Sequence, residues 1–275
     1  ATRNIHCVLD KLGVDLWTYV VDNKEYDDIY KAFLKAGVPD IESCTDIAIA
    51  ATLNMAAEKF RVKYVIEGHN FRTEGIAPLG WIYMDGKYIK SVHKRFGEIP
   101  MKTYPNMPMH AMLRWMLLRR IQKIRPLWYL SYDKEKVKAF LSSEYGWQWY
   151  GGHHLENRFT AFYHSYFIPK RFNYDMRRLG YSAACRTGKM TREEALDLLK
   201  QPPYMEEELV DYVKKRLGFT DDEFQLLMTL PKKTYNDYPN YKKTFERFRF
   251  FFFVMAKMNL IPMSFYLKYT KKEKQ

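Results

Sequence analysis

The sequence predicts an α/β fold, a parallel-sheet domain followed by a mostly helical region. Three observations carry that expectation. Helical and strand-like segments alternate over the first hundred residues. Glycines close the first two helices, where a left-handed residue is needed. From about residue 105 the apolar spacing turns helical throughout.

"TRNIHCVLDKLG" carries Ile5, Val8, Leu9 and Leu12 at helical spacing and ends at Gly13. "VDLWTYVVD" (14–22) reads as a strand and "KEYDDIYKAFLKAG" (24–37) as a helix, again closed by glycine. "TDIAIAATLNMAAEKF" (45–60) is a helix with Ile49, Leu53, Ala56, Ala57 and Phe60 along one side. "KYVIEG" is the next strand, a buried one, whose β-formers lead into Glu67, Gly68, His69 and Asn70. In open parallel sheets ligands sit beyond the carboxyl ends of the strands, so the groups after Ile66 stand in that place. The later helices are "MHAMLRWMLLRRIQKI", "DKEKVKAFLSSEYG", "HHLENRFTAFYHSYF", "TREEALDLLK", "EEELVDYVKKRLG" and "TDDEFQLLMTL". Thr191 with Glu194, and Thr220 with Glu223, have capping-box spacing.

The 275 residues are 47% hydrophobic and 28% charged, a globular composition. Cys7, Cys44 and Cys185 lie far apart and form no paired framework, which fits a reduced cytoplasmic interior. No signal peptide opens the chain; its first residues read like mid-helix, as in a chain whose first part is missing. The net charge of +13 is uneven: residues 1–100 hold 13 Lys and Arg against 14 Asp and Glu, whereas residues 101–275 hold 32 against 18. Such asymmetry argues for an anionic partner of the second half: phosphate, nucleic acid or a membrane surface.

Three constellations carry chemistry. In "YVIEGHNFRTEG" (64–75), Gly68 lets a ligand approach the backbone, while Glu67, His69, Asn70, Thr73 and Glu74 could orient a nucleotide or hold Mg²⁺. The same residues also read as a polar corner that caps the next element. In "YGWQWYGGHHLENRFTAF" (145–162), Gly151 and Gly152 precede a helix whose start is a candidate anion site, with His154 and Arg158 on one face and Glu156 in the first turn. Zinc at His153, His154 and Glu156 is disfavoured, because adjacent histidines point apart and no H-E-x-x-H spacing exists. In "FNYDMRRLGYSAACRTGKM" (172–190), Asp175, Arg177, Arg178, Ser182 and Arg186 offer either a phosphate or carboxylate grip or a salt-bridged surface helix. No G-x-S-x-G, Walker A or G-x-G-x-x-G occurs, and no nucleic-acid module accompanies the charge. The tail 245–275 mixes Phe, Met and Tyr with Lys and Arg, which suits either a docked final helix or an interfacial segment.

In order and spacing, "DIESCTDIAIAATLNMAAEKFRVKYVIEGHNFRTEGIAPLGW", "IKSVHKRFG", "YGWQWYGGHHLENRFTAFYHSYFIPKRFNYDMRR", "GKMTREEALDLLKQPPY" and "YPNYK" resemble the N-acetyl sugar amidotransferases, bacterial surface-polysaccharide enzymes of the PP-loop ATP pyrophosphatase superfamily. "GHNFRTEG" also looks like a strand-end motif of tRNA-modifying PP-loop enzymes, which lies over the nucleotide. The resemblance implies that residues 1–104 are the C-terminal part of a parallel-sheet nucleotide-binding domain, incomplete at its N-terminus. Residues 105–275 would then be a helical substrate and partner region. It implies ATP and Mg²⁺ as cofactors, and adenylation of an acetamido oxygen on an anionic sugar. A glutaminase subunit supplies the ammonia that makes the acetamidino product. By the same resemblance Gly68, His69, Asn70 and Thr73 bind the cofactor and Glu74, His154 and Glu156 are catalytic. Gly151, Gly152, Arg158, Arg177 and Arg178 bind substrate, and no resident metal ligand is assigned. The family's SGGxDS loop, which grips pyrophosphate, is absent from these residues, so this chain alone is expected to be inactive without it. The competing expectations are a non-catalytic scaffold that docks a glutaminase and the membrane surface, and a tRNA-modifying enzyme, with nucleic acid the less favoured partner. Either main reading places the protein in the cytoplasm, with peripheral contact at the inner membrane face through 245–275.

Overall fold

The computed structural model describes residues 2–78, 81–152 and 155–271. The chain divides into two compact units: residues 1–19, 68–76 and 125–221 form the first, and residues 20–67, 77–124 and 222–275 the second.

The expected parallel-sheet domain of PP-loop type is not what forms. Among the described residues only two strands occur, Tyr64–Ile66 and Gln122–Ile124, paired parallel with Val65 opposite Lys123. The segment 14–22 is neither helix nor strand, and Val14, Leu16 and Val20 are exposed. Alternating side chains make a segment compatible with a strand, but a strand exists only where a neighbour completes its hydrogen bonds. Nor is Tyr64–Ile66 the buried strand its apolar run suggested: Val65 packs beside Ala51 and Trp115, while Tyr64 and Ile66 are exposed. The partner strand also comes from an unexpected place. "MHAMLRWMLLRRIQKI" begins as the helix Met109–Leu113, widens into a π-helical turn over Arg114–Leu118, and passes through Arg120 at positive φ into Gln122–Ile124.

The expectation of a helical C-terminal region agrees with the structure. Thr191 and Glu194 form the capping box at the head of Arg192–Lys200. Gly146 and Gly218 end Lys134–Tyr145 and Leu209–Leu217 in the left-handed conformation.

In the second unit, Asn23–Ala36 packs against Gly86–Phe96, burying Ile29, Tyr30, Phe33 and Leu34 beside Tyr88, Ile89 and Val92. The Asp22 side chain caps the first helix by accepting from the Lys24 N–H at 2.8 Å, and Gly37 closes it at φ 72°. The irregular segments around this pair are held by buried carboxylates. Glu25 accepts from the backbone N–H groups of Lys102, Thr103 and Tyr104, and Asp28 from those of Glu98 and Ile99 and from the His93 ring. Asp40 accepts from the Tyr83 N–H, and Asp85 from those of Tyr88 and Tyr241.

In the first unit, Phe159, Phe162, Phe167 and Ile168 are buried, as are Leu209, Val213 and Leu217 on the neighbouring helix. Arg158–Phe162 runs into the π-helical Tyr163–Phe172, which contains Pro169. Proline has no N–H to give to an α-helical ladder, so a widened turn suits it, and Asn173 ends the turn at φ 59°. The helix Thr2–Leu12 is tied to Gln148 by the Asn4 side-chain amide, which donates to the Gln148 carbonyl and accepts from its N–H.

Candidate functional site

At the end of Tyr64–Ile66 the Glu67 N–H donates to the Ile124 carbonyl, and the Glu67 carboxylate pairs with Lys123 at 2.5 Å. Both contacts lie in the second unit. At Gly68 the chain passes into the first unit, and a methyl group added there would meet no atom.

The next six residues form a tight polar turn inside the first unit. Asn70, 1% exposed, caps the short helix Phe71–Glu74 by accepting from the Arg72 N–H at 2.8 Å. Its own N–H donates to Glu74 Oε1 at 3.3 Å, and Glu74 Oε2 is paired with Nδ1 of His69. The imidazole and the carboxylate therefore sit on one half-exposed corner. Thr73 Oγ1 reaches back to the Asn70 carbonyl at 3.5 Å, and Arg72 donates to the Leu130 carbonyl at 2.8 Å. Behind the turn, Gly75 at φ 77° lies so close to the Leu179 carbonyl that any side chain would collide with backbone.

Residues far away in sequence complete the corner. Trp128 receives the edge of Phe71 at 5.6 Å, lies 6.4 Å from the His69 ring and carries Arg125 over its face at 5.0 Å. Its Nε1 is buried and, among the described residues, has no acceptor. The Tyr132 phenol is pushed up by burial and by the negative charge of Glu74. Burial and the nearby Lys138 lower the Lys134 ammonium, against the opposing pull of Glu135 and Glu74. A carboxylate–imidazole pair beside a lysine of lowered pKa can accept and return protons. Trp128, Tyr132 and Lys134 were not singled out from the sequence. Nothing local marks them, because the fold alone brings them to Glu74.

The corner does not by itself fit ATP and Mg²⁺. Both Glu74 oxygens are engaged, the Arg72 N–H in the first turn of the short helix is already capped, and a single glycine offers no phosphate-embracing loop. Among the described residues no group of three His, Cys, Asp or Glu could hold a metal ion.

The other candidates lie elsewhere in the first unit. His154, like His153, falls outside the described residues. Gly151 adopts φ 87°, and Gly152 is crowded by the Leu155 side chain. The expected anion site at the following helix is not open: Arg158–Phe162 starts six residues after Gly152, and Asn157 already accepts from the Phe159 and Thr160 N–H groups. Glu156 is exposed and helps to raise the Tyr150 phenol, after burial. Arg158 pairs with Glu206 at 2.7 Å and stacks on Tyr212 beside a shallow recess lined by Leu155, Ser165 and Tyr204. Arg177 is spent inside the protein: it grips Asp175 and donates to the carbonyls of Gln201, Leu198 and Pro202, which close the helix Arg192–Lys200. Arg178, by contrast, is exposed.

Residues 156–251 match a family model described as LPS biosynthesis protein WbpG-like, C-terminal domain. The match spans Glu156, Arg158, Arg177 and Arg178 but not the His69–Glu74 corner, and it supports a part for the chain in lipopolysaccharide biosynthesis. No curated protein is significantly similar to the chain.

Proposed function

We propose that the protein acts in lipopolysaccharide biosynthesis as an amidotransferase, replacing the oxygen of a sugar acetamido group by nitrogen to give an acetamidino group. The match over residues 156–251 carries this reading, and the order of the motifs quoted above supports its finer part. Chemically, an amide oxygen leaves poorly as water, so the exchange needs activation. ATP with Mg²⁺ would supply it, and a glutaminase partner would supply ammonia. Both enter from the resemblance alone, and the His69–Glu74 corner does not by itself fit ATP and Mg²⁺.

The chain's own residues suggest a division of labour. Exposed Arg178, and Arg158 beside its recess, suit the negative charge of a nucleotide-linked or acidic sugar. The His69–Glu74 pair suits proton transfer, and Asn70 and Gly75 hold its geometry. Titration calorimetry with nucleotide-linked acetamido sugars tests the substrate half. Binding that weakens about tenfold in Arg158→Ala and Arg178→Ala supports the reading. Equal affinity for the same nucleotides without the sugar removes the acetamido group from it. Mass spectrometry of the sugar after incubation with ATP, Mg²⁺ and ammonium, with an SGGxDS-bearing segment joined to the chain, reads the exchange of O for NH directly.

A further inference from the structure

The sequence left two roles open for the C-terminal segment, a docked final helix and an interfacial segment, and the structure shows the docking. In the second unit Lys242–Arg247, Arg249–Lys257 and Met263–Thr270 pack around Phe245, Phe252, Met255, Ile261 and Tyr266. The middle helix therefore docks by one face. Its opposite face stays in solvent and is not polar: Phe250 is 79% exposed, with Phe251, Phe253, Val254 and Met258 also exposed and Phe248 at its start. Phe250, Val254 and Met258 follow one another at four-residue spacing, so they form one stripe. Isolated apolar side chains on a surface need no explanation, but an apolar stripe flanked by exposed phenylalanines on one helix marks an interaction surface.

The charges around the stripe identify its partner. Residues 242–271 carry seven Lys and Arg against a single acid, Glu246, which is paired with Lys242. Arg247 and Lys257 flank the stripe at the two ends of the helix and are exposed. Among the described residues no helix is long and apolar enough to cross a membrane. Phenylalanine between basic side chains on a short helix is the pattern of a segment that lies in the lipid interface. We propose that this face docks the protein onto a membrane surface rich in anionic phospholipid, the rings entering the headgroup boundary and Arg247 and Lys257 pairing with phosphates.

Co-sedimentation tests this with the full chain and two vesicles, phosphatidylcholine alone and equal parts phosphatidylcholine and phosphatidylglycerol. Capture by the anionic vesicles should exceed capture by the neutral ones about tenfold or more and should fall with added salt. The double variant Phe250→Ser/Phe251→Ser and the charge variant Arg247→Glu/Lys257→Glu should each weaken capture about tenfold while circular dichroism and melting stay unchanged. Unchanged capture in both variants, or no capture by either vesicle, overturns the proposal. So does a lipid-free dimer that Phe250→Ser/Phe251→Ser dissolves, since a second copy would then own the face. Retention on heparin without vesicle capture assigns the charge to another polyanion and overturns it as well.

Discussion

The two units lean on different side chains to fasten several of their irregular segments. In the second unit, carboxylates accept from backbone N–H groups: Glu25 holds residues 102–104, Asp28 holds 98 and 99, Asp40 holds 83 and Asp85 holds 88 and 241. All four are buried. In the first unit, cations donate to backbone carbonyls: Arg177 to those of 198, 201 and 202, and Arg72 to that of 130. The balance of charge differs too. The second unit carries 26 Lys and Arg against 16 Asp and Glu, the first 19 against 16. So the more basic unit keeps several acids inside as fasteners, which leaves its outside more basic still. A carboxylate fastener also titrates within reach of ordinary conditions, whereas a guanidinium does not. The second unit should therefore respond to pH more strongly than the first.

Asp40 gives the largest test of that contrast. Burial pushes its carboxyl up to about 7, against the opposing N–H of Tyr83 and hydroxyl of Tyr88. The folded chain then holds a proton that the unfolded chain has already released. Its stabilising contribution is complete below the ordinary aspartate value and is lost as pH rises through about 7. Asp40→Asn should abolish that loss, a difference of about 3 kcal/mol between pH 5 and pH 9 in urea titrations. An unaltered pH profile in the variant would remove Asp40 as its source.

Glu25 runs the other way. Burial raises its carboxyl, but the N–H bonds from Thr103, Lys102 and Tyr104 outweigh burial and leave it lowered. Its contribution is present above the ordinary glutamate value and is lost as pH falls through the lowered one. Glu25→Ala strands those donors and should cost about 3 kcal/mol. Faster hydrogen exchange across residues 102–104 would show it. Normal protection there would mean that the segment is held by something else.

In the first unit, Arg177→Ala should cost about 1.5 kcal/mol and loosen the helix Arg192–Lys200, equally at pH 5 and pH 9. Lysine should not rescue it, because one ammonium cannot span Asp175 and three carbonyls. A pH-dependent loss would break the contrast between the units. The smallest effect belongs to the candidate corner. The His69–Glu74 pair is half-exposed, so His69→Ala should change stability by about 0.5 kcal/mol or less. A large fall in melting temperature would make that pair a fastener of the fold, leaving it no reserve for catalysis.

The helices were legible wherever their ends are written locally. Asp22 and Gly37 bound one, Thr191 with Glu194 opens another, and Gly146 and Gly218 close two more. The strands were not legible. Residues 14–22 have the side chains of a strand and no partner, whereas Gln122–Ile124 reads as helix and pairs with Tyr64–Ile66. The candidate corner was half legible. His69, Asn70, Thr73 and Glu74 are adjacent in sequence and meet in space, but Trp128, Tyr132 and Lys134 arrive from another segment.

By itself, then, the sequence determined the helix ends that carry a local cap, the composition of the polar turn and the basic, aromatic character of the tail. These are properties of residues a few positions apart, and a cap or a turn closes over that distance. Tertiary structure alone decided which segments pair as strands and that Arg177 is consumed by a helix end. It also decided that one face of Arg249–Lys257 is buried and the other is open to solvent. Each of those outcomes depends on which distant group completes a hydrogen bond or covers an apolar side chain, and local spacing carries no record of that.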